Sequence, residues 1–190
     1  MLQTIEQKLD RLMDLLGNLA AAMLIALVLI MAYNVIGRYA FRASSIGLEE
    51  LSWHLYAAIF LLGIPFALRT ESHVRVDLLY EKFQPKTQAL IDLVGCVIFL
   101  LPFCAVVIWG GWNFTAAAYQ LGNQPDSIAS FFNQLVSTGI GERSQDPGGL
   151  LNRWIIKGVI PLSFLFLLLA SISFFIRRLR AFLQAEESTA

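Results

Sequence analysis

Four stretches of this chain run for a membrane's width without a charged residue. Asp14 and Arg38 bracket residues 15–37, and Glu50 and Arg69 bracket 51–68. Asp92 opens a third run whose apolar part covers 93–112, and Lys157 and Arg177 bracket 158–176. A helix crossing the hydrocarbon core needs about 20 mainly apolar residues, range roughly 17–25. All four runs meet that length. They are apolar all round: Leu24–Ala32 reads LIALVLIMA, and Ser163–Ile172 reads SFLFLLLASI with two serines as its polar residues. A soluble bundle would need a polar stripe on each helix. Alternation at period 2 is absent over these lengths, which argues against strands. Run one lacks a small-residue cleavage pattern and three more runs follow, so it reads as an anchored span rather than a secretion signal. The pattern predicts an all-α integral membrane protein with four transmembrane helices.

Between the spans the pattern changes. Leu2, Ile5, Leu9, Leu12 and Leu16 recur at helical spacing among Gln, Lys, Asp and Arg. This predicts an N-terminal amphipathic helix over about 2–16 that feeds span one, either lying on the cytoplasmic membrane face or extending span one into the cytoplasm. Pro65 in span two removes a backbone hydrogen bond and predicts a kink near Leu61, and Pro102 does the same in span three. Pro161 falls near the start of span four, where proline is better tolerated. Pro85 suits the first turn of a helix that would run through Asp92 into span three. Residues of about 120–155 form a long loop on the far side. In it Ser127–Ser137 (SIASFFNQLVS) predicts a short interfacial helix, followed by an irregular glycine-rich connection. Trp154 is an interfacial anchor for span four. The four spans do not divide into halves with matching Gly and Pro positions, so an inverted-repeat transporter is not indicated.

Composition agrees with a bilayer. Of 190 residues, 57% are hydrophobic and 15% charged, against about 25% charged in soluble domains. Lys+Arg and Asp+Glu both number 14, so there is no basic excess for nucleic acid. Cationic residues orient the spans. Lys8, Arg11, Arg69, Arg75, Lys82, Lys86, Arg177, Arg178 and Arg180 share one side; Arg38, Arg42, Arg143, Arg153 and Lys157 share the other. The richer side is expected to be cytoplasmic and holds both termini; the long loop is then periplasmic or extracellular. Cys96 and Cys104 stand eight residues apart on one predicted helix, about 12 Å at 1.5 Å per residue, too far for a disulfide.

Candidate chemistry is sparse. No Asp or Glu lies inside any of the four runs, whereas a self-contained proton-coupled pump commonly needs one. His54, one turn into span two, is the in-span ionisable residue, and its ordinary role is an interfacial hydrogen bond. His73 lies in a loop, so two histidines cannot clamp a haem between spans. No Cys/His cluster has zinc spacing and no nucleophile–base pair is visible, so neither a cofactor nor catalysis is expected. Two charged clusters remain. Glu49 and Glu50 open span two, where carboxylates favour the positive helix end or can pair with Arg38, Arg42 or a neighbour. Arg69, His73, Arg75 and Asp77 follow span two, with Arg69 near its carbonyl end and Asp77 suited to capping the next helix.

These clusters carry a resemblance. Gly37-Arg38-Tyr39-Ala40-Phe41, Glu49-Glu50-Leu51, Leu62-Gly63, Ala67-Leu68-Arg69 and His73-Val74-Arg75-Val76-Asp77-Leu78 occur in the order and spacing of the small permease subunit of TRAP (tripartite ATP-independent periplasmic) transporters, the DctQ family. The match covers about residues 15–115. Pro147-Gly148-Gly149-Leu150 through Asn152-Arg153-Trp154 resembles members with a longer third loop. The resemblance implies a bacterial inner-membrane subunit with both ends cytoplasmic. Its partners would be membrane lipid, a large permease subunit that carries substrate and sodium, and a periplasmic binding protein that delivers an organic acid such as a dicarboxylate or 2-oxo acid. This subunit would brace the large one, and Arg38, Glu49, Glu50, Arg69, His73 and Asp77 would serve assembly. The rival readings are an independent homo-oligomeric transporter or channel using His54, and a membrane enzyme or redox anchor.

Overall fold

The computed structural model describes residues 2–70, 80 and 82–187, and side chains within them from 6 to 184. His73, Arg75 and Asp77 lie outside the described residues. Every regular element is helical: α1 (Leu2–Phe41), α2 (Ile46–Arg69), α3 (Pro85–Gln120), α4 (Ile128–Ser137) and α5 (Trp154–Glu187). α1, α2, α3 and α5 are long and apolar enough to cross a membrane.

The N-terminal amphipathic stretch is not a separate surface helix. α1 is continuous for 40 residues, about 60 Å at 1.5 Å per residue, twice the thickness of a hydrocarbon core. Toward span one this helix faces protein: Leu16 is buried in the main core, Leu12 packs against it, and Met13 between them is fully buried. Glu6, Asp10 and Asp14 meet Arg180, Arg177 and Arg69, so the polar face is also spoken for by protein. Both faces of the stretch are thus used by the bundle, and the helix continues straight into span one.

Pro85 begins α3 as expected, and the helix runs through Asp92 into the apolar segment. The helix stays continuous past Pro102. Residues Cys96–Leu100 form a π-helical turn in which the Leu101 N–H donates to the Cys96 carbonyl. This widening sits just before Pro102, whose missing N–H leaves a carbonyl of the preceding turn without its donor. Pro161 lies in the interior of α5, because that helix already starts at Trp154. Its ring is accommodated by Gly111 on α3, where an added Cβ would stand 3.0 Å from Pro161 Cδ. Gly17 on α1 likewise yields to the Phe66 ring of α2. Small residues at such crossings let membrane helices approach closely.

α5 packs against α1, α2 and α3 and supplies Leu167, Ala170 and Phe174 to the core. Its serines at 163, 171 and 173 are buried. Ser163 and Ser171 donate back to Ile160 and Leu167 carbonyls, which satisfies them inside the helix. The most apolar window of α5 is 39% buried, against 11% in α1 and α3. The bundle is therefore centred on α5 and leaves the outer faces of α1 and α3 bare.

Candidate functional site

The two ends of the bundle carry different polar constructions. At the end where α1 begins and α5 finishes, Asp10 is the hub. It accepts from Ser173 Oγ at 2.9 Å and from Arg177 at 3.2 Å, and Arg69 approaches it at 3.9 Å. Arg69 also pairs with Asp14, Arg180 with Glu6 at 3.0 Å, and Arg178 with Asp92 at 2.8 Å. Asp92 further accepts from the Tyr80 hydroxyl at 2.8 Å. Four helices are joined here, and the start of α1 and the end of α5 lie on one side of the bundle. Arg69 therefore does more than decorate the carbonyl end of α2: it ties α2 to α1.

At the opposite end the neighbours Glu49 and Glu50 part company. Ser45 caps α2 by accepting from the Leu48 N–H at 3.4 Å. The first helical turn then aims Glu49 outward and Glu50 inward. Glu50 is 6% exposed. Its Oε1 accepts from Ser144 Oγ at 2.5 Å and its Oε2 from the Leu150 N–H at 2.7 Å. Neither Arg38 nor Arg42 is its partner. The segment it grips is closed on itself, since the Ser144 N–H donates to Leu150 O at 2.9 Å and the Gly149 N–H to Asp146 O at 3.0 Å. Glycine permits the fit at both surfaces. A Cβ at Gly149 would stand 2.4 Å from Ser144 Cβ, and one at Gly47 would stand 2.9 Å from the Gly148 carbonyl. His54 adds a third bond, its Nδ1–H donating to the Glu50 carbonyl at 2.6 Å.

The rest of the long loop is equally built. α4 is capped by a reciprocal Ser127–Ser130 pair. The Ile140 N–H donates to Asn152 Oδ1 at 2.6 Å, Asn152 Nδ2 donates to Leu135 O at 2.8 Å, and Ile140 itself is fully buried. The Glu142 N–H donates to Ala118 O at 2.8 Å, and Glu142 pairs with Lys157, which also stands over the Phe114 ring. Trp154 packs edge-on against Tyr119. The connection is irregular, as expected, and several of its backbone groups find local partners.

Arg38 and Glu49, both exposed, line one groove of about 380 Å³ between α1 and α2, with Asn34, Trp53 and Tyr56. No ion pair joins the two among the described residues. Trp53 is 64% and Tyr56 57% exposed. Thus Arg38 and Glu49 share a groove, Glu50 turns away to the loop, and Arg69 lies at the far end. Sequence reasoning missed Ser144, Leu150, Asp10 and Asp14. For the last two a signal existed: Glu6, Asp10 and Asp14 stand four apart on one helix face, and Arg177, Arg178 and Arg180 close α5.

Taken together, four membrane-length helices joined by polar constructions at both ends define a multi-pass membrane protein. Residues 27–181 match the family described as tripartite ATP-independent periplasmic transporters, DctQ component. The chain belongs to that family. It is also similar to a Haemophilus influenzae protein whose name describes a TRAP transporter small permease, with 31% identity over 90 residues, 47% of this chain. The chain spans about half, 55%, of the length of that curated relative. The family is one of transporters, in agreement with the resemblance carried by residues 37–78.

Proposed function

We propose that this chain is the small, bracing membrane subunit of a TRAP transporter for sodium-coupled uptake of an organic acid bearing a carboxylate, a dicarboxylate or a 2-oxo acid. It sits in the bacterial inner membrane with both termini cytoplasmic. Its partners are a large permease subunit, which binds sodium and substrate, and a periplasmic binding protein, which delivers the substrate.

The observation that carries the reading is the α1–α2 groove. A carboxylate and a guanidinium, Glu49 and Arg38, stand exposed beside Trp53 and Tyr56 on a face otherwise made of bare apolar side chains. Exposed aromatic and Arg side chains next to a charge are what a partner surface needs. Membrane helices recognise one another by packing and by such polar contacts. The uncharged runs 15–37, 51–68, 93–112 and 158–176 contain no acid to drive cargo, which supports a reading in which the partner carries the transport chemistry. The ion pairs that join the start of α1 to the end of α5 support a shared side for the two termini, in accord with the cationic residues assigned to that side.

The test is co-expression with the large permease. This chain should copurify with it, and proteoliposomes holding this chain alone should accumulate no solute while the full set takes up acid with sodium. Uptake by the chain alone overturns the reading. Impermeant thiol labelling checks orientation: cysteines at Gln3 and Thr189 should label from the cytoplasm and one at Asp126 from the periplasm. Labelling of the two ends from opposite faces overturns the topology.

A further inference from the structure

Between the end of α3, the connection after α4 and the start of α5 lies a cleft of about 640 Å³. Arg143, Arg153 and Lys157 bring three cations to it, and Glu142 is the carboxylate in its lining. Glu142 is already paired with Lys157. Arg143 and Arg153 have no ion-pair partner among the described residues. Arg153 feels the charge of Glu50, but both Glu50 oxygens are taken by the loop, and Arg153 Nε is buried without a hydrogen-bond partner. Two guanidinium groups with open donors at one cleft suit a multi-oxygen anion, because the planar fork binds such groups bidentately.

The surroundings select the kind of anion. The cleft lies at the ends of two helices long enough to cross a membrane, the level at which bilayer phosphates sit. Leu121 on its rim is 74% exposed. Nearby α4 contains no charged residue, and Ile128, Phe132 and Val136, four apart on one face, are 82%, 65% and 82% exposed. A short helix with such a face lies at the boundary of headgroups and acyl chains. A soluble anion would have no use for this apolar rim.

We propose that the cleft binds the phosphate of a phospholipid headgroup, with Arg143 and Arg153 as donors and the exposed face of α4 against the acyl chains. The proposal rests on the membrane-spanning fold and not on the transport reading, so it is tested on the full chain without partners. Native mass spectrometry in detergent would titrate phosphatidylglycerol, diacylglycerol and inorganic phosphate. Phosphatidylglycerol should be retained, and diacylglycerol, which lacks the phosphate, should not. Replacing both arginines (Arg143→Gln with Arg153→Gln) should weaken retention at least about tenfold. Arg143→Gln alone alters an exposed side chain, keeps the fold, and should weaken retention in the same direction. Equal retention of diacylglycerol, undiminished retention in both variants, or inorganic phosphate bound where phosphatidylglycerol is not, would each overturn it.

Discussion

The Ser144 hydroxyl donates to Glu50 Oε1 at 2.5 Å across 94 residues of sequence, and this bond fastens the long loop to the start of α2. The second Glu50 oxygen holds the Leu150 N–H, so both ends of one closed turn rest on a single carboxylate. Hydrogen bonds to an ionised acceptor contribute about 1.5–3 kcal/mol each, and an unpaired buried donor costs a comparable amount. Glu50→Ala should therefore lower stability by about 2–4 kcal/mol. Glu50→Gln should cost about half of that, since its one carbonyl oxygen keeps the Leu150 N–H while the Ser144 hydroxyl turns to accept. Thermal unfolding in detergent ranks the two, and limited proteolysis should cut within 144–150 first. Equal melting of both variants and wild type would show that the latch is not stabilising.

The connection after α4 is set against the end of α3 by glycine. A Cβ on Gly122 would stand 1.9 Å from the Gly141 carbonyl, whereas one on Gly63 meets nothing within 4 Å. Gly122→Ala must push residues 139–141 away, and an overpacked site costs roughly 1–3 kcal/mol. Gly63→Ala in the middle of α2 should be neutral or stabilising by about 0.5–1 kcal/mol. The two melts should move in opposite directions, or only the Gly122 variant should fall.

The spans were legible because each is a single long signal: some twenty residues without a charge leave a helix no soluble alternative. The motif residues were legible as a set but not as an arrangement. Glu49 and Glu50 are adjacent letters, and helical geometry turns them about 100° apart, one to the groove and one to the loop. The loop that Glu50 binds lies a hundred positions on, and no local pattern announces that contact. The N-terminal stretch stayed open between two placements for a related reason. An amphipathic face reads the same whether it rests on headgroups or on another helix, and the deciding partners, Ser173 and Arg177, come from the other end of the chain.

At the end where α1 begins and α5 finishes, two ion pairs of similar length should differ in worth. Asp10 is 22% exposed and accepts from Ser173 and Arg177 with Arg69 beside it. Arg180 is 37% exposed and meets Glu6 alone. Asp10→Ala strands two donors, Ser173 and Arg177, and should lower stability by about 1–3 kcal/mol. Glu6 is 14% exposed, but its single pair is with the more open Arg180. Glu6→Ala therefore removes one contact rather than a network and should cost about 0–1 kcal/mol. Hydrogen exchange over residues 6–20 should rise for Asp10→Ala and change little for Glu6→Ala. Equal effects from both would show that the hub adds nothing beyond a surface pair.

Glu49 separates assembly from folding, because its neighbour already carries the fold. It is exposed, lines the groove with Arg38, and has no ion-pair partner among the described residues. Reversing its charge should therefore leave the isolated chain's melting temperature unchanged, within about the 0.5 kcal/mol typical of surface substitutions. If the groove receives the large permease, Glu49→Lys should reduce copurification several-fold, since like charge or an unpaired buried ammonium would replace a favourable contact. Arg38→Glu should act the same way. Glu50→Lys is the contrast: it should unfasten the loop and lower the melting temperature even with no partner present. Undiminished recovery of the large permease with both Glu49→Lys and Arg38→Glu would remove the groove from the assembly surface and move the contact to the bare faces of α1 and α3.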